Sequence, residues 1–308
     1  MIQNIKLYVV LNGFGSYALL VKLWTRSGCY RASVPIPDAN FDSLKKIRAL
    51  FSSIRPNLIG LNEEDWVSFD SFISQLGSKK RNIHPSLSLA LSIACARAAT
   101  QGELWKLRGA KKWFPYIVGT VALGKDWKEF MVIPHRERTV MDAFETLLEI
   151  WNIIGGELRE QGVLKGTSAR GAWLSDLNDL EMLYFLDQIA KDWNIRLGIN
   201  IGADSLWDGK SYNYRQTKGS VIRKNPGAEE QMSLLTAITE QYKIWYLQDP
   251  FHSSDIMSHA QLSHKLDDAI LSGSDLYRGL ISRMKRCYKL RATNAITVDP
   301  SHQGRIQA

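Results

Sequence analysis

The apolar and polar positions of the chain change rhythm twice, and each change predicts a different kind of element. Ile5 to Leu11 and Tyr17 to Thr25 are rich in β-branched, aromatic and Leu residues, with Asn12-Gly13-Phe14-Gly15 supplying the turn between them. Arg31 to Val34 reads as a third strand, entered through Ser27-Gly28. Helical spacing follows. Leu44, Ile47, Leu50 and Phe51 share one face, and Pro56 and Gly60 are expected to end that helix. A second helix is predicted from about Glu63 to Leu76, stopped by Gly77. Residues 84–107 form the most apolar long segment, where Leu87, Leu91, Ala94 and Ala98 allow close packing. Residues 1–114 therefore read as an α+β module of three strands followed by helices.

From about residue 115 the pattern becomes strand alternating with helix, an α/β arrangement. Strands are predicted at Tyr116–Val121, Phe130–Ile133, Arg196–Ile201, Ile244–Leu247, Ala269–Ser272 and Ala295–Val298. Helices fill 139–160, 178–193, 228–242, 254–266 and 277–290. Alternation of this kind implies a parallel sheet with its chemistry at the carboxyl ends of the strands. A closed eight-stranded barrel takes roughly 250 residues. The stretch 115–308 is shorter, so an incomplete barrel of about six strands is expected there.

Composition narrows the class. Of the 308 residues 45% are apolar and 23% charged, which excludes a mostly disordered chain. Three cysteines cannot build a disulfide framework, and an odd count suits a reducing compartment. There is no run of apolar residues long enough to span a bilayer, and the start of the chain does not read as a secretory signal, so a cytoplasmic protein is expected. The net charge of +8 gathers at Lys79, Lys80 and Arg81, at Lys106, Arg108, Lys111 and Lys112, and at Arg283, Lys285, Arg286, Lys289 and Arg291. These clusters read first as solvated helix faces. Nucleic acid is the secondary reading, because no nucleic-acid-binding motif accompanies the charge. Phosphate-binding loops, dinucleotide fingerprints, nucleophile elbows and paired-cysteine zinc motifs are all missing, and the six histidines show no metal-ligand spacing.

Six collinear segments carry a resemblance. They are PNLIGLNEEDWVSFDSFISQLG (56–77), HPSLSLALSIACARAATQGELWKLRG (84–109), KEFMVIP (128–134), LGINIGADSLWDGKSYNY (197–214), YLQDPF (246–251) and LSGSDLY (271–277). Together they resemble enolase, the lyase that dehydrates 2-phosphoglycerate to phosphoenolpyruvate. The resemblance implies an N-terminal capping domain over 1–114 and a shortened enolase-type (β/α) barrel over 115–308.

It also implies where chemistry should reside. Enolases abstract a proton beside a carboxylate, with Mg²⁺ stabilising the dianion that forms. Three carboxylates at successive strand ends hold the metal in the family. The matching positions here are Asn200, Gln248 and Ser274, all neutral. Mg²⁺ wants oxygen ligands that also supply negative charge, so no cofactor is expected. A relocated site built from Asp204, Asp249 and Asp275 is the alternative. The family's base, a Lys, matches Asp299, and its acid-side Glu matches Arg170. The mobile-loop Ser falls near Ala39, and the substrate-loop His has no match near Gly119–Asp126. Only Glu129 keeps a family active-site carboxylate.

Three functions follow as expectations. The first is a degenerate relative without dehydratase activity that binds a partner, which could be a protein, its own second copy or RNA. The second is a divergent Mg²⁺-dependent phosphopyruvate hydratase. The third is a module that binds an anion in a pocket made electropositive by Arg170. A barrel of six strands would also leave edges near Tyr116–Val121 and Ala295–Val298, exposing Ile117, Ile296 and Val298 and inviting self-association.

Overall fold

The structure is a computed structural model that describes residues 1–37, 39–78, 83–107, 116–215, 222 and 224–298. It divides into two compact units, the first built on Met1–Lys112 and the second on Trp113–Val298.

The first unit opens with an antiparallel meander of β1 (Asn4–Leu11), β2 (Tyr17–Thr25) and β3 (Gly28–Pro35). The side chain of Asn12 accepts from the backbone of Phe14 and Ser16, and Gly15 takes φ +73°, which closes the first hairpin. Helices α1 (Phe41–Leu58), α2 (Trp66–Ser78) and α3 (Pro85–Ala99) follow. Asn40 and Ser43 form a reciprocal cap at the start of α1, which runs two residues past Pro56 rather than stopping there. Ile5, Leu19, Val21 and Leu23 of the sheet are buried against Leu87, Leu91 and Ala94 of α3.

The second unit holds β4 (Gly119–Ala122), β5 (Glu129–Ile133), α4 (Val140–Glu160), β6 (Leu164–Thr167), β7 (Trp173–Ser175), α5 (Asp179–Trp193) and β8 (Arg196–Asn200). It continues with α6 (Ala228–Tyr242), β9 (Ile244–Gln248), α7 (Ile256–Lys265), β10 (Ile270–Ser272) and α8 (Ile281–Lys289). The strands form one open mixed sheet of seven, ordered β10-β9-β8-β5-β4-β7-β6. Strands β8, β9 and β10 are parallel, and β5 runs antiparallel to both β4 and β8. Val132, Leu197, Ile199 and Leu247 bury their side chains with Ile150 and Ile154 of α4, Leu186 of α5 and Leu235 of α6. Among the described residues no helix is long and apolar enough to cross a membrane.

Two expectations about the sheet need correction. The hairpin β6–β7 escapes the sequence pattern because its strands are short and Lys165, Gly166 and Thr167 offer no apolar alternation. Tertiary packing makes it. Trp151 and Trp173 stack with centroids 4.3 Å apart, each indole N–H donating to a carbonyl across the contact, Trp151 to Gly171 and Trp173 to Trp151. Gly155 on α4 leaves room for this, since a Cβ there would lie 2.2 Å from the Trp173 ring.

The second correction concerns Ala295–Val298, which is not a strand. The Asn294 side chain takes the outer edge of β10 instead, accepting from Leu271 N at 2.7 Å and donating to the Ala269 carbonyl at 2.7 Å. The backbone N–H groups of Asn294 and Ala295 both donate to the Leu271 carbonyl. With these ladder groups occupied, the following residues run on without pairing. Because β4 is flanked by β5 and β7, the sheet edges are β6 and β10, and neither expected edge strand is one.

Candidate functional site

Strand register assembles a row of polar side chains at one end of the larger sheet. Glu129 opens β5 opposite Asn200, the last residue of β8; Asn200 is level with Gln248, the last of β9, and Gln248 with Ser272, the last of β10. Residues level with one another on adjacent strands project from the same face, so Glu129, Asn200, Gln248 and Ser272 line one surface. Three of the strands meet there at their carboxyl ends.

Local bonds inside the row are mostly between neutral groups. Asn200 is only 6% exposed and donates through Nδ2 to Glu129 Oε2 at 3.0 Å, while its own Oδ1 is buried without a partner. Gln248 Oε1 accepts the Tyr246 hydroxyl at 2.7 Å, and Ser272 Oγ shares a 2.6 Å bond with Thr297 Oγ1. Ser274 is not in the row. It lies in the loop after β10, where its backbone N–H donates to Asp249 Oδ1 at 2.9 Å.

The three aspartates proposed for a relocated metal are each committed elsewhere. Asp249 is 1% exposed and takes φ +46°; its carboxylate accepts from the backbone of Ser274 and Leu276 through Oδ1 and from the Gln248 amide at 3.4 Å through Oδ2. Burial, reinforced by the negative charge of Asp275, pushes its pKa above the ordinary carboxylate range. Asp204 receives Ser253 N at 2.6 Å and Arg278 Nη2 at 2.9 Å. Burial pulls its pKa up, but those bonds outweigh it and hold the carboxyl below its ordinary value. Asp275 receives the ammonium of Lys128 at 2.8 Å. Among the described residues no group of three His, Cys, Asp or Glu side chains could hold a metal ion.

Lys128 is the residue that sequence reasoning passed over, although it precedes Glu129 in the quoted motif. Its stem crosses from β5 over Gly202, where a Cβ would lie 2.2 Å from Lys128 Cδ. Gly202 sits at φ +61°, a conformation open to glycine at little strain. The ammonium thus comes to rest at the strand ends of the larger sheet.

These residues do not fit Mg²⁺. The row contributes one carboxylate, the Gln248 carbonyl already serves Tyr246, and the nearby cation is a lysine paired with Asp275. A divalent ion there would find little negative charge to offset its dehydration.

Arg170 is exposed on the turn between β6 and β7, and no hydrogen bond joins it to Glu129, Asn200, Gln248 or Ser272. The loop 123–128 is pinned to α5: buried Asp179 accepts from the backbone of Lys125, Asp126 and Trp127. Ala39 packs against the core of the first unit. Asp299, Lys79, Lys80, Arg81, Arg108, Lys111 and Lys112 fall outside the described residues. On α8, Lys285, Arg286 and Lys289 are exposed, as is Arg291 just after it, and Arg283 is partly exposed.

The family model "Enolase, C-terminal TIM barrel domain" matches residues 119–307. The enolase of Pyrobaculum aerophilum is 25% identical over 293 residues, covering 88% of this chain and 68% of that protein. The enolase of Methanocorpusculum labreanum is 24% identical, covering 99% of this chain and 83% of the relative. That of Thermoplasma acidophilum is 22% identical and covers 100% and 82%. On the family match and the residues that carry it, this chain belongs to the enolase family.

Proposed function

We propose that the chain is an enolase relative that has given up metal-dependent dehydration of 2-phosphoglycerate and acts in the cytoplasm by binding a partner. The observation that carries this reading is the polar row at the strand ends. Glu129 is its single carboxylate, bonded to the amide of Asn200, and the Lys128–Asp275 pair lies at the same strand ends. Proton abstraction beside a carboxylate needs strong positive charge on the substrate's oxygens and a base of suitable strength. Neither is provided by Asn200, Gln248 and Ser274, nor by Asp299 where the family motif has Lys.

The sheet edges offer a partner little. Asn294 fills that of β10, and β6 has four residues, with Lys165 exposed and Gly166 at φ +136°. Lys128 and Arg278 are already paired with Asp275 and Asp204, which leaves them little charge for an anion.

A phosphoenolpyruvate-formation assay at saturating Mg²⁺ tests the reading, with calorimetric titration of Mg²⁺ beside it. No turnover and no metal binding are expected. Turnover abolished by a chelator would establish the alternative, a divergent Mg²⁺-dependent phosphopyruvate hydratase.

A further inference from the structure

Between Leu276 and Val298 the chain carries six basic residues and no acidic one. Arg278 is spent on Asp204. Among the described residues, no ion pair engages Arg283, Lys285, Arg286, Lys289 or Arg291. This is a concentrated share of the net charge of +8, left without counter-charge on one short element.

We propose that α8 and the turn after it bind the phosphate backbone of single-stranded nucleic acid. The helix turns Cys287 and Met284 inward, against Ala260, Leu276, Tyr277 and Ala292. That leaves Lys285, Arg286 and Lys289 along its outer face. Lys285 and Lys289 are four residues apart, about 6 Å along the axis, a step similar to that between successive phosphates of an extended strand. Tyr288 stands between them in sequence at 81% exposure, with its ring free to stack on a base. Cations that follow a backbone beside an aromatic platform are the chemistry by which single strands are held without sequence preference.

A bilayer fits this face less well. A helix lying on a membrane turns a continuous apolar side outward; here Met284 and Cys287 are packed into the protein, and the exposed Leu280, Ile281 and Leu290 lie only at the ends of the helix. The patch shares no residue with the polar row, so the proposal goes beyond the function proposed above and does not depend on it.

Fluorescence anisotropy of the full chain with labelled single-stranded RNA and DNA of mixed sequence tests the proposal. Binding should weaken with salt at a slope of about −0.7 per phosphate engaged. Replacing Lys285, Arg286, Lys289 and Arg291 together by Ala should lower affinity at least tenfold and flatten the slope. Tyr288→Ala should weaken binding several-fold with the slope unchanged, and Tyr288→Phe should retain it. The exposed pair Lys45→Ala and Lys46→Ala on α1 serves as the control and should bind as the unaltered protein does. Unaltered thermal melting of the variants confirms that they fold. The proposal is overturned by no binding at low salt, by undiminished binding in the quadruple variant, or by capture on phosphatidylserine vesicles without binding to either nucleic acid. None of these results bears on turnover, so the two readings fail separately.

Discussion

Nζ of Lys128, at the threshold of β5, lies 2.8 Å from Oδ2 of Asp275 in the loop after β10. The pair spans the β8 and β9 positions of the sheet, and it is made feasible by the bare backbone of Gly202 beneath the lysine stem. A side chain at position 202 and an extended Lys128 cannot share that space. An ammonium is therefore held at these strand ends, and its partner is an aspartate that the sequence offered as a metal ligand.

Replacing Asn200→Asp and Gln248→Glu, beside Glu129 in the row, together with Lys128→Gln should create Mg²⁺ affinity measurable by calorimetry. Added carboxylates supply the missing charge, and removing the ammonium frees Asp275. Turnover should stay undetectable, because Asp299 still stands where a Lys is needed. Dehydration by this variant would show that the neutral positions alone had silenced the site.

Gly155 and Gly156 are neighbours on α4 and should respond oppositely to alanine. A Cβ at Gly156 meets nothing within 4 Å, so Gly156→Ala should stabilise by up to about 1 kcal/mol through helix propensity. At Gly155 the same methyl would run into the Trp173 ring, and Gly155→Ala should cost about 1–3 kcal/mol as the indole stack is displaced. Urea midpoints of the two variants decide it.

Asp179 should make stability fall as pH rises. Burial pushes its carboxyl from 3.8 up to about 6, against the three backbone N–H groups that favour the charged form. The folded state thus holds the proton more tightly than the unfolded chain. The penalty is absent below about pH 4, grows as pH climbs toward 6 and is complete above it, at about 3 kcal/mol. Asp179→Asn should flatten this window in urea titrations run at successive pH values. It should also lower stability overall, because an amide NH₂ would face the N–H groups of Asp126 and Trp127. An unchanged pH profile in the variant would assign the slope to another group.

Asn294→Ala should open the edge of β10. The Leu271 N–H and the Ala269 carbonyl each lose a 2.7 Å partner, at an expected total of about 1–2 kcal/mol. Faster amide exchange at Leu271 and concentration-dependent association in sedimentation would mark the exposed edge. An unchanged exchange rate would mean that the backbone bonds from Asn294 and Ala295 suffice.

The sequence by itself determined what depends on local periodicity and residue chemistry. The meander of the first unit, most of its helices, and β5, β8, β9 and β10 were legible, because apolar spacing and turn residues encode them directly. The loss of carboxylates at Asn200, Gln248 and Ser274 was legible too, since charge is a property of residue type. Tertiary structure decided the rest. The hairpin β6–β7 exists because two tryptophans meet across a glycine, a contact that no strand pattern announces. The segment after α8 reads as a strand, yet one asparagine side chain takes the hydrogen bonds a strand would have used. Ser272, not Ser274, stands level with Gln248, because register across the sheet places it there. Lys128 became part of the site only when Gly202 cleared its path and Asp275 came within reach, two residues distant in sequence that the parallel strands carry to the same end.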